Sequence, residues 1–431
     1  MFLLQAGVLV LFAVLCGRLA IRLRMPAVAG ELCVGILLGP TVLGNIAPSA
    51  AEWLLPRDAG QFHLLDALGQ VGILLLVGIT GMEMDASLVR RRGTTALSVG
   101  LGGLVLPFGL GFAAGWVAPA SLVPDGTDRL VFALFLAVAL CVSALPVIAK
   151  ILTDMNLIHR NVGQITLAAG MVDDVIGWIL LSVVSAMAIG GTGQDSIVAP
   201  LLATALVLAV TFFILRPLVS RVMNAAERTS DTATVVGGAT AFVLLSAAAT
   251  HALGLEAMFG AFLAGMLIGS GPRGVRARLA PLRTVVLAVF APLFFATAGL
   301  RIELGALANP TALAAAAALL LVAVLGKVAG AFAGARAVGM SAWESIALGG
   351  ALNARGVIQL VIATVGLRIG VLNATSYTLI VLVAIATSLM APPILRWSMR
   401  RIECTAEEQL RQQDRSMLDW KPVEQTPDAR V

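Results

Sequence analysis

The stretches of this chain that lack a charged side chain decide what it can be. Residues 304–326 hold no Asp, Glu, Lys or Arg over 23 positions, and residues 175–194 hold none over 20. A helix crosses the hydrocarbon core of a bilayer with about 20 mostly apolar residues. Thirteen stretches fit, near 3–21, 25–45, 63–82, 95–118, 129–152, 162–189, 196–220, 234–252, 256–271, 284–301, 309–335, 345–367 and 375–397. The chain therefore reads as an all-α polytopic membrane protein with about 13 transmembrane helices. A barrel is excluded, because its strands alternate apolar and polar residues. Charged residues make up 12%, against about 25% in a soluble domain. That excludes a soluble globular or disordered chain. Cys16, Cys33, Cys141 and Cys404 form no disulfide framework. The net charge of +5 does not point to nucleic acid, since the basic residues fall in short loops between apolar runs.

Those basic residues orient the chain. Cytoplasmic loops carry an excess of Lys and Arg. With the N-terminus outside, nineteen basic residues face the cytoplasm, among them Arg18, Arg22, Arg24, Arg90 to Arg92, Arg160 and Arg336. Only four, Arg57, Arg129, Arg301 and Arg368, lie in outer loops. The expectation is a multi-pass cell-membrane protein with its N-terminus outside and its C-terminus cytoplasmic. Residues 1–401 form one transmembrane domain and residues 402–431 a short polar cytoplasmic tail. Positive charges follow the first apolar run, so it reads as a span and not as a signal peptide. Residues 46–62, with Trp53 and Pro56, read as an interfacial loop or surface helix.

Two weak signals suggest an inverted repeat. Gly30, Gly35 and Gly39 in the second stretch share their spacing with Gly260, Gly265 and Gly269 in the ninth. Pro146 in the fifth stretch and Gly349, Gly350 and Gly356 in the twelfth mark two broken helices, again seven stretches apart. Inverted repeats and broken helices at the midplane are a transporter pattern.

Charges in the middle of a span are expensive and functional by default. Asp173 and Asp174 sit with no other charge from 161 to 172 or from 175 to 194. Adjacent helical residues point about 100° apart, so both can border one cavity. Repulsion and desolvation there favour uptake of a proton or a small cation. Lys327, one of three lysines, has no charged neighbour from 304 to 335 and calls for a carboxylate partner, Asp173 or Asp174. Arg355 lies mid-span and is expected to tether a carboxylate or carbonyl ends. Glu31 either lines a cavity or pairs with Arg24. Glu256, near His251, reads as a solvated charge.

These residues resemble the sodium/proton exchanger superfamily of monovalent cation/proton antiporters, in the bacterial branch of potassium-efflux and sodium/proton antiporters. The matching elements are Asp173-Asp174 with Gly177-Trp178, Ala144-Leu145-Pro146-Val147, the segment Gly260 to Gly265, and Asn353-Ala354-Arg355-Gly356. The resemblance implies two broken helices crossing beside the aspartate pair, a homodimer with dimerisation and mobile core subdomains, and elevator-like alternating access. It implies Asp174 as the shared cation and proton site and Asp173 as the salt-bridge partner of Lys327. Val357 and Gln359 stand where relatives often carry an acid, and Ser143 near a position where Thr is common. Ser143 is a candidate ion-binding oxygen, and Asn353 and Gln359 are candidate cavity residues. The expected activity is exchange of sodium or potassium for protons, relevant to pH homeostasis, with no cofactor and no enzymatic activity. A symporter or channel on the same fold is the alternative. An intramembrane aspartyl protease needs aspartates on two helices, and three scattered histidines offer no metal cluster.

Overall fold

The computed structural model describes residues 2–409 except 24, 26, 40, 55–58, 85–92, 191–193 and 228–230. The expectations for Arg24, Pro56, Arg57, Arg90 to Arg92 and the tail beyond 409 lie outside the described residues. The long elements among the described residues are all helices: α1 (Phe2–Arg22), α2 (Ala27–Leu38), α3 (Ala59–Met82), α4 (Gly93–Trp116), α5 (Arg129–Cys141), α6 (Leu145–Asp154) and α7 (Asn161–Gly190). Then follow α8 (Gln194–Val210), α9 (Arg216–Glu227), α10 (Thr232–Ala252), α11 (Ala257–Gly269), α12 (Ala280–Val285) and α13 (Ala291–Gly299). The last four are α14 (Pro310–Ala337), α15 (Ala342–Leu352), α16 (Val357–Arg368) and α17 (Ala374–Met399). A single π-helical turn joins α8 to α9, and another joins α12 to α13.

Polar caps in the loops set where helices start, because the first amides of a helix lack internal partners. Asp128 accepts from the Leu130 amide, Asp231 from the Ala233 amide, and Asn309 from the Thr311 amide ahead of Pro310. Ser341 with Glu344 and Asn373 with Ser376 form reciprocal capping boxes.

Among the described residues, eleven helices are long and apolar enough to span a membrane. The pair α15–α16, bent by 44°, makes twelve. The remaining expected stretch is α11, whose 13 residues reach only ~20 Å at 1.5 Å per residue. Within 46–62 the surface helix is Pro48–Leu54.

The helices pack in two groups. One holds α4 to α7 and α14 to α17; the other holds α1 to α3, α10, α11 and α13. Three polar contacts join them at the end that carries Arg301 and Arg368. Tyr377 Oη donates to the Ala298 carbonyl at 2.8 Å, the Glu303 amide to Thr378 Oγ1 at 3.0 Å, and Arg368 pairs with Glu256 at 3.2 Å.

Glycine contacts display the inverted repeat. A Cβ on Gly30 of α2 would overlap the Cys16 carbonyl of the preceding helix α1, and one on Gly260 of α11 the Ser246 carbonyl of its preceding helix α10. A Cβ on Gly35 would overlap the Ala296 carbonyl of α13, and one on Gly265 the Gly78 carbonyl of α3. Each repeat thus makes the same pair of contacts with corresponding helices. Helix α4 meets α14 through Gly102 and Gly330, where a Cβ on either would overlap the other's carbonyl. Backbones approach this closely only over Gly or another very small residue.

Candidate functional site

Both breaks expected from sequence are present and face each other. Helix α5 ends at Cys141 and α6 resumes at Leu145; α15 ends at Leu352 and α16 resumes at Val357. The unwound segments touch, with the Ala144 amide donating to the Ala354 carbonyl at 3.1 Å. Pro146 suits the first turn of α6, where its missing N–H removes no helical bond.

Unwinding leaves half-helix ends inside the protein, and charges meet them. Lys327 Nζ donates to the Cys141 carbonyl at 2.7 Å. Arg355 donates to the Ala139 carbonyl at 3.5 Å and to the Ala323 carbonyl of α14 at 3.1 Å. Two cations therefore sit at the carbonyl end of α5, where the helix dipole is negative. The Ser388 hydroxyl donates to the Arg355 carbonyl. Helix α4 borders this lysine: a Cβ on Gly103 would lie in ordinary contact with Lys327 Nζ, at 3.8 Å.

The two aspartates differ. Asp173 Oδ2 is 2.5 Å from Lys327 Nζ and 2.7 Å from Ser143 Oγ. Ser143 Oγ is also 2.7 Å from the Leu352 carbonyl, and its single proton serves one of these acceptors at a time. Asp174, also fully buried, has no hydrogen-bond partner on either oxygen. The Leu145 amide, at the positive end of α6, is turned toward it. Asn353 in the second break is buried with its whole amide unpartnered. Gln359 Nε2 donates to the Ile380 carbonyl at 3.3 Å, leaving Oε1 unpartnered.

Asp173, Asp174, Ser143, Lys327, Arg355 and Asn353 thus converge on the crossing. Glu31 stands apart. It is buried on α2 and turned toward α1, where a Cβ on Gly17 would lie 3.2 Å from Oε1. The narrow space beside the crossing, about 20 Å³, is lined on α2 by Val28, Ala29 and Leu32 instead. Glu256 corrects a sequence expectation: it is not solvated but 5% exposed, paired with Arg368 and flanked by Ser185. Its burial comes from α7 and α16, which sequence proximity to His251 could not reveal. Near that pair lies a cavity of about 250 Å³ bordered by Asp66, Gln70, Arg301, Thr364 and Arg368. Arg301 and Asp66 form an ion pair at 2.5 Å beside it.

The family profile described as "Sodium/hydrogen exchanger, transmembrane" matches residues 8–401. The chain belongs to the sodium/hydrogen exchanger family. It is 30% identical over 399 residues to the Na(+)/H(+)-K(+) antiporter GerN of Bacillus cereus, covering 92% of this chain and 96% of that one. It is 29% identical over 402 residues to the Na(+)/H(+) antiporter NhaS4 of Synechocystis, covering 92% and 97%. Cation/H(+) antiporter 15 of Arabidopsis thaliana is 32% identical over 377 residues, which are 86% of this chain and 45% of that protein. The chain spans about half the length of such plant relatives. In fold it is similar to the sodium proton antiporter MjNhaP1 of Methanocaldococcus jannaschii, with a TM-score of 0.62, 18% identity, and coverage of 92% and 97%.

Proposed function

We propose that this exchanger-family protein is a secondary transporter that exchanges a monovalent cation, sodium or potassium, for protons at Asp174. The observation that carries this reading is the contrast within the aspartate pair. Asp173 is neutralised by Lys327, while both oxygens of Asp174 are buried and accept no hydrogen bond, with only the Leu145 amide turned toward them. An uncompensated charge there is costly. A proton or a dehydrated cation removes that cost equally well, so the two compete for one place. Hard monovalent cations suit oxygen donors, and the Asn353 side-chain oxygen is a free neutral candidate.

Charge arithmetic supports exchange over simple binding. Asp173, Asp174, Lys327 and Arg355 carry two formal charges of each sign. One proton or one monovalent cation on Asp174 gives the cluster the same net charge of +1. The loaded site is then electrostatically alike in both halves of the cycle, while the empty site differs from both. If Asp174 acts alone, exchange is one for one.

The same reading places the Arg301 and Arg368 end outside the cell, from the nineteen-to-four distribution of basic residues. It takes the group holding the crossing as a mobile core moving by alternating access, and the other as a dimerisation scaffold in a homodimer. Transport activity across the family's named relatives supports a transporter over an enzyme.

The test is proton/cation exchange in everted vesicles with an acid interior, adding sodium, potassium, lithium or rubidium to wild type and Asp174→Asn. At least one cation should collapse the gradient in wild type alone. Exchange that persists in well-folded Asp174→Asn overturns the assignment. Labelled cation flux that needs Asp174 yet moves no protons favours a channel.

A further inference from the structure

Helix α16 ends at Arg368 and α17 starts from the same side, so the first turn of α15 and the last turn of α17 lie together at the other end. They meet there in an aromatic notch. Trp343 stands in the first turn of α15, directly after the Ser341–Glu344 capping box, and Trp397 in the last turn of α17. Their rings meet edge to face, with centroids 5.0 Å apart and planes at 78°. The Arg401 guanidinium carbon lies 4.1 Å from the Trp343 ring centre and 4.7 Å from that of Trp397. One cation is thus held against two indoles at once.

The positive charge around the notch is uncompensated. Arg396 and Arg400 are one turn apart in sequence, as are Trp397 and Arg401, so the end of α17 carries three arginines beside one indole. All three arginines are exposed. Among the described residues none of them forms an ion pair or a side-chain hydrogen bond. The carboxylates of Glu344 and Glu408, in the adjoining segments, are used elsewhere: Glu344 caps Ser341 and Glu408 pairs with Arg160.

Aromatic faces around a cation recognise quaternary ammonium groups. Here the chain's own guanidinium fills that place, so the notch presents positive charge instead of accepting it. A guanidinium held over rings keeps its N–H fork for a phosphate or carboxylate, which it binds through two parallel hydrogen bonds. The setting selects among anions. Trp397 is 49% exposed, and Trp beside Arg at the end of an apolar helix is the pattern of the bilayer interface. From Ala374 to Trp397 helix α17 rises ~35 Å, just beyond a hydrocarbon core of ~30 Å, which puts the indoles at headgroup depth.

We propose that Trp343, Trp397 and Arg401, with Arg396 and Arg400, form a binding site for the phosphate headgroup of an anionic phospholipid. Arg401 takes the phosphate on its free N–H edge, and Arg396 and Arg400 supply the surrounding charge. The indoles lie against the glycerol and the upper part of the acyl chains. The site belongs to the helix group that holds the crossing. The next two residues, Ile402 and Glu403, accept from Arg160 at the start of α7, so the bound lipid sits beside the segment that clips the helix carrying the aspartate pair. Its occupancy does not depend on what Asp174 binds.

The test is thermal unfolding of the full chain in neutral detergent micelles doped with phosphatidylglycerol, or with phosphatidylcholine of the same acyl chains. Phosphatidylglycerol should raise the melting temperature and phosphatidylcholine should not. Arg401→Gln should need at least roughly tenfold more phosphatidylglycerol for the same rise, with Arg401→Lys in between. Arg221→Gln, which removes an exposed arginine from α9, should titrate like wild type. Trp397→Phe keeps a ring against the guanidinium and should also titrate like wild type, whereas Trp397→Leu should follow Arg401→Gln. Each variant is measured against its own lipid-free melting, and if Arg401→Gln does not fold, the contrast at position 397 decides. Equal stabilisation by both lipids overturns headgroup selection. Wild-type titration by Arg401→Gln, or identical titration by Trp397→Phe and Trp397→Leu, overturns the site. Glycerol phosphate reproducing the rise in lipid-free micelles overturns the lipid as its occupant.

Discussion

At the scale of residues, the site depends on charges that cannot be removed singly. Asp173→Asn leaves Lys327 buried against the Cys141 carbonyl alone, and unpairing a buried ion pair in this way is worth about 3–5 kcal/mol of stability. Asp173→Asn should therefore melt markedly earlier in detergent, and the double variant Asp173→Asn/Lys327→Met should recover most of the loss. Equal melting of single and double variants would show that the pair contributes little. A lone lysine and two adjacent aspartates in uncharged runs are legible because each violates membrane composition so plainly. Which aspartate the lysine meets was not fixed by spacing, since the two point about 100° apart and the answer depends on α14. Ser182 and Ser185, buried on α7 without partners, gave no signal, because serine is ordinary among packed membrane helices.

At the scale of elements, helix ends and helix contacts carry the argument. A methyl group on Gly102 would overlap the Gly330 carbonyl, whereas one on Gly237 meets nothing within 4 Å. Gly102→Ala should lose about 1–3 kcal/mol and Gly237→Ala nothing measurable in thermal unfolding. The start of α7 is also held by the segment that follows α17. Glu408 accepts from the Asn161 amide at 2.5 Å and pairs with Arg160 at 3.1 Å, and Arg160 also donates to the Ile402 and Glu403 carbonyls. Burial pushes the Glu408 carboxyl up, but the Asn161 and Thr405 amides and the Arg160 guanidinium outweigh it and hold it below its ordinary value of 4.5. A depressed acid contributes stability above its unfolded value and loses it as pH falls through the folded one. Protease protection of residues 402–409 should therefore stay constant from about pH 8 to 5 and fall only below about pH 4. Glu408→Gln should lower it above about pH 5 and converge with wild type at low pH; an unchanged digestion pattern would show that the clip does not hold the segment. Helix existence and the two breaks were legible from apolar run length, Pro146 and the Gly349–Gly356 cluster. The clip was not, because it joins residues 247 apart in sequence.

At the scale of the whole molecule, the two helix groups meet through few polar contacts among the described residues, so each one biases their relative position. Tyr377→Phe deletes the bond to the Ala298 carbonyl, worth about 0.5–1.5 kcal/mol. Under the two-group reading it should shift the apparent cation affinity roughly two- to tenfold in opposite senses on the two faces. Unchanged affinities on both faces would mean that this contact survives throughout transport. The inverted repeat was half visible: glycine spacing named α2 and α11 as counterparts, but only their partners, α1 with α13 and α10 with α3, made the relation geometric.

The Gly102–Gly330 contact also constrains how the chain can change by descent. Each position already holds the smallest side chain available, so damage at one cannot be offset by trimming the other. In a selection for revertants of Gly102→Ala, compensating changes should be missing at 330 and arise where they tilt or translate α4 or α14 as a whole. The two glycines are thus inherited as a single character, and losing either is a step with no local way back.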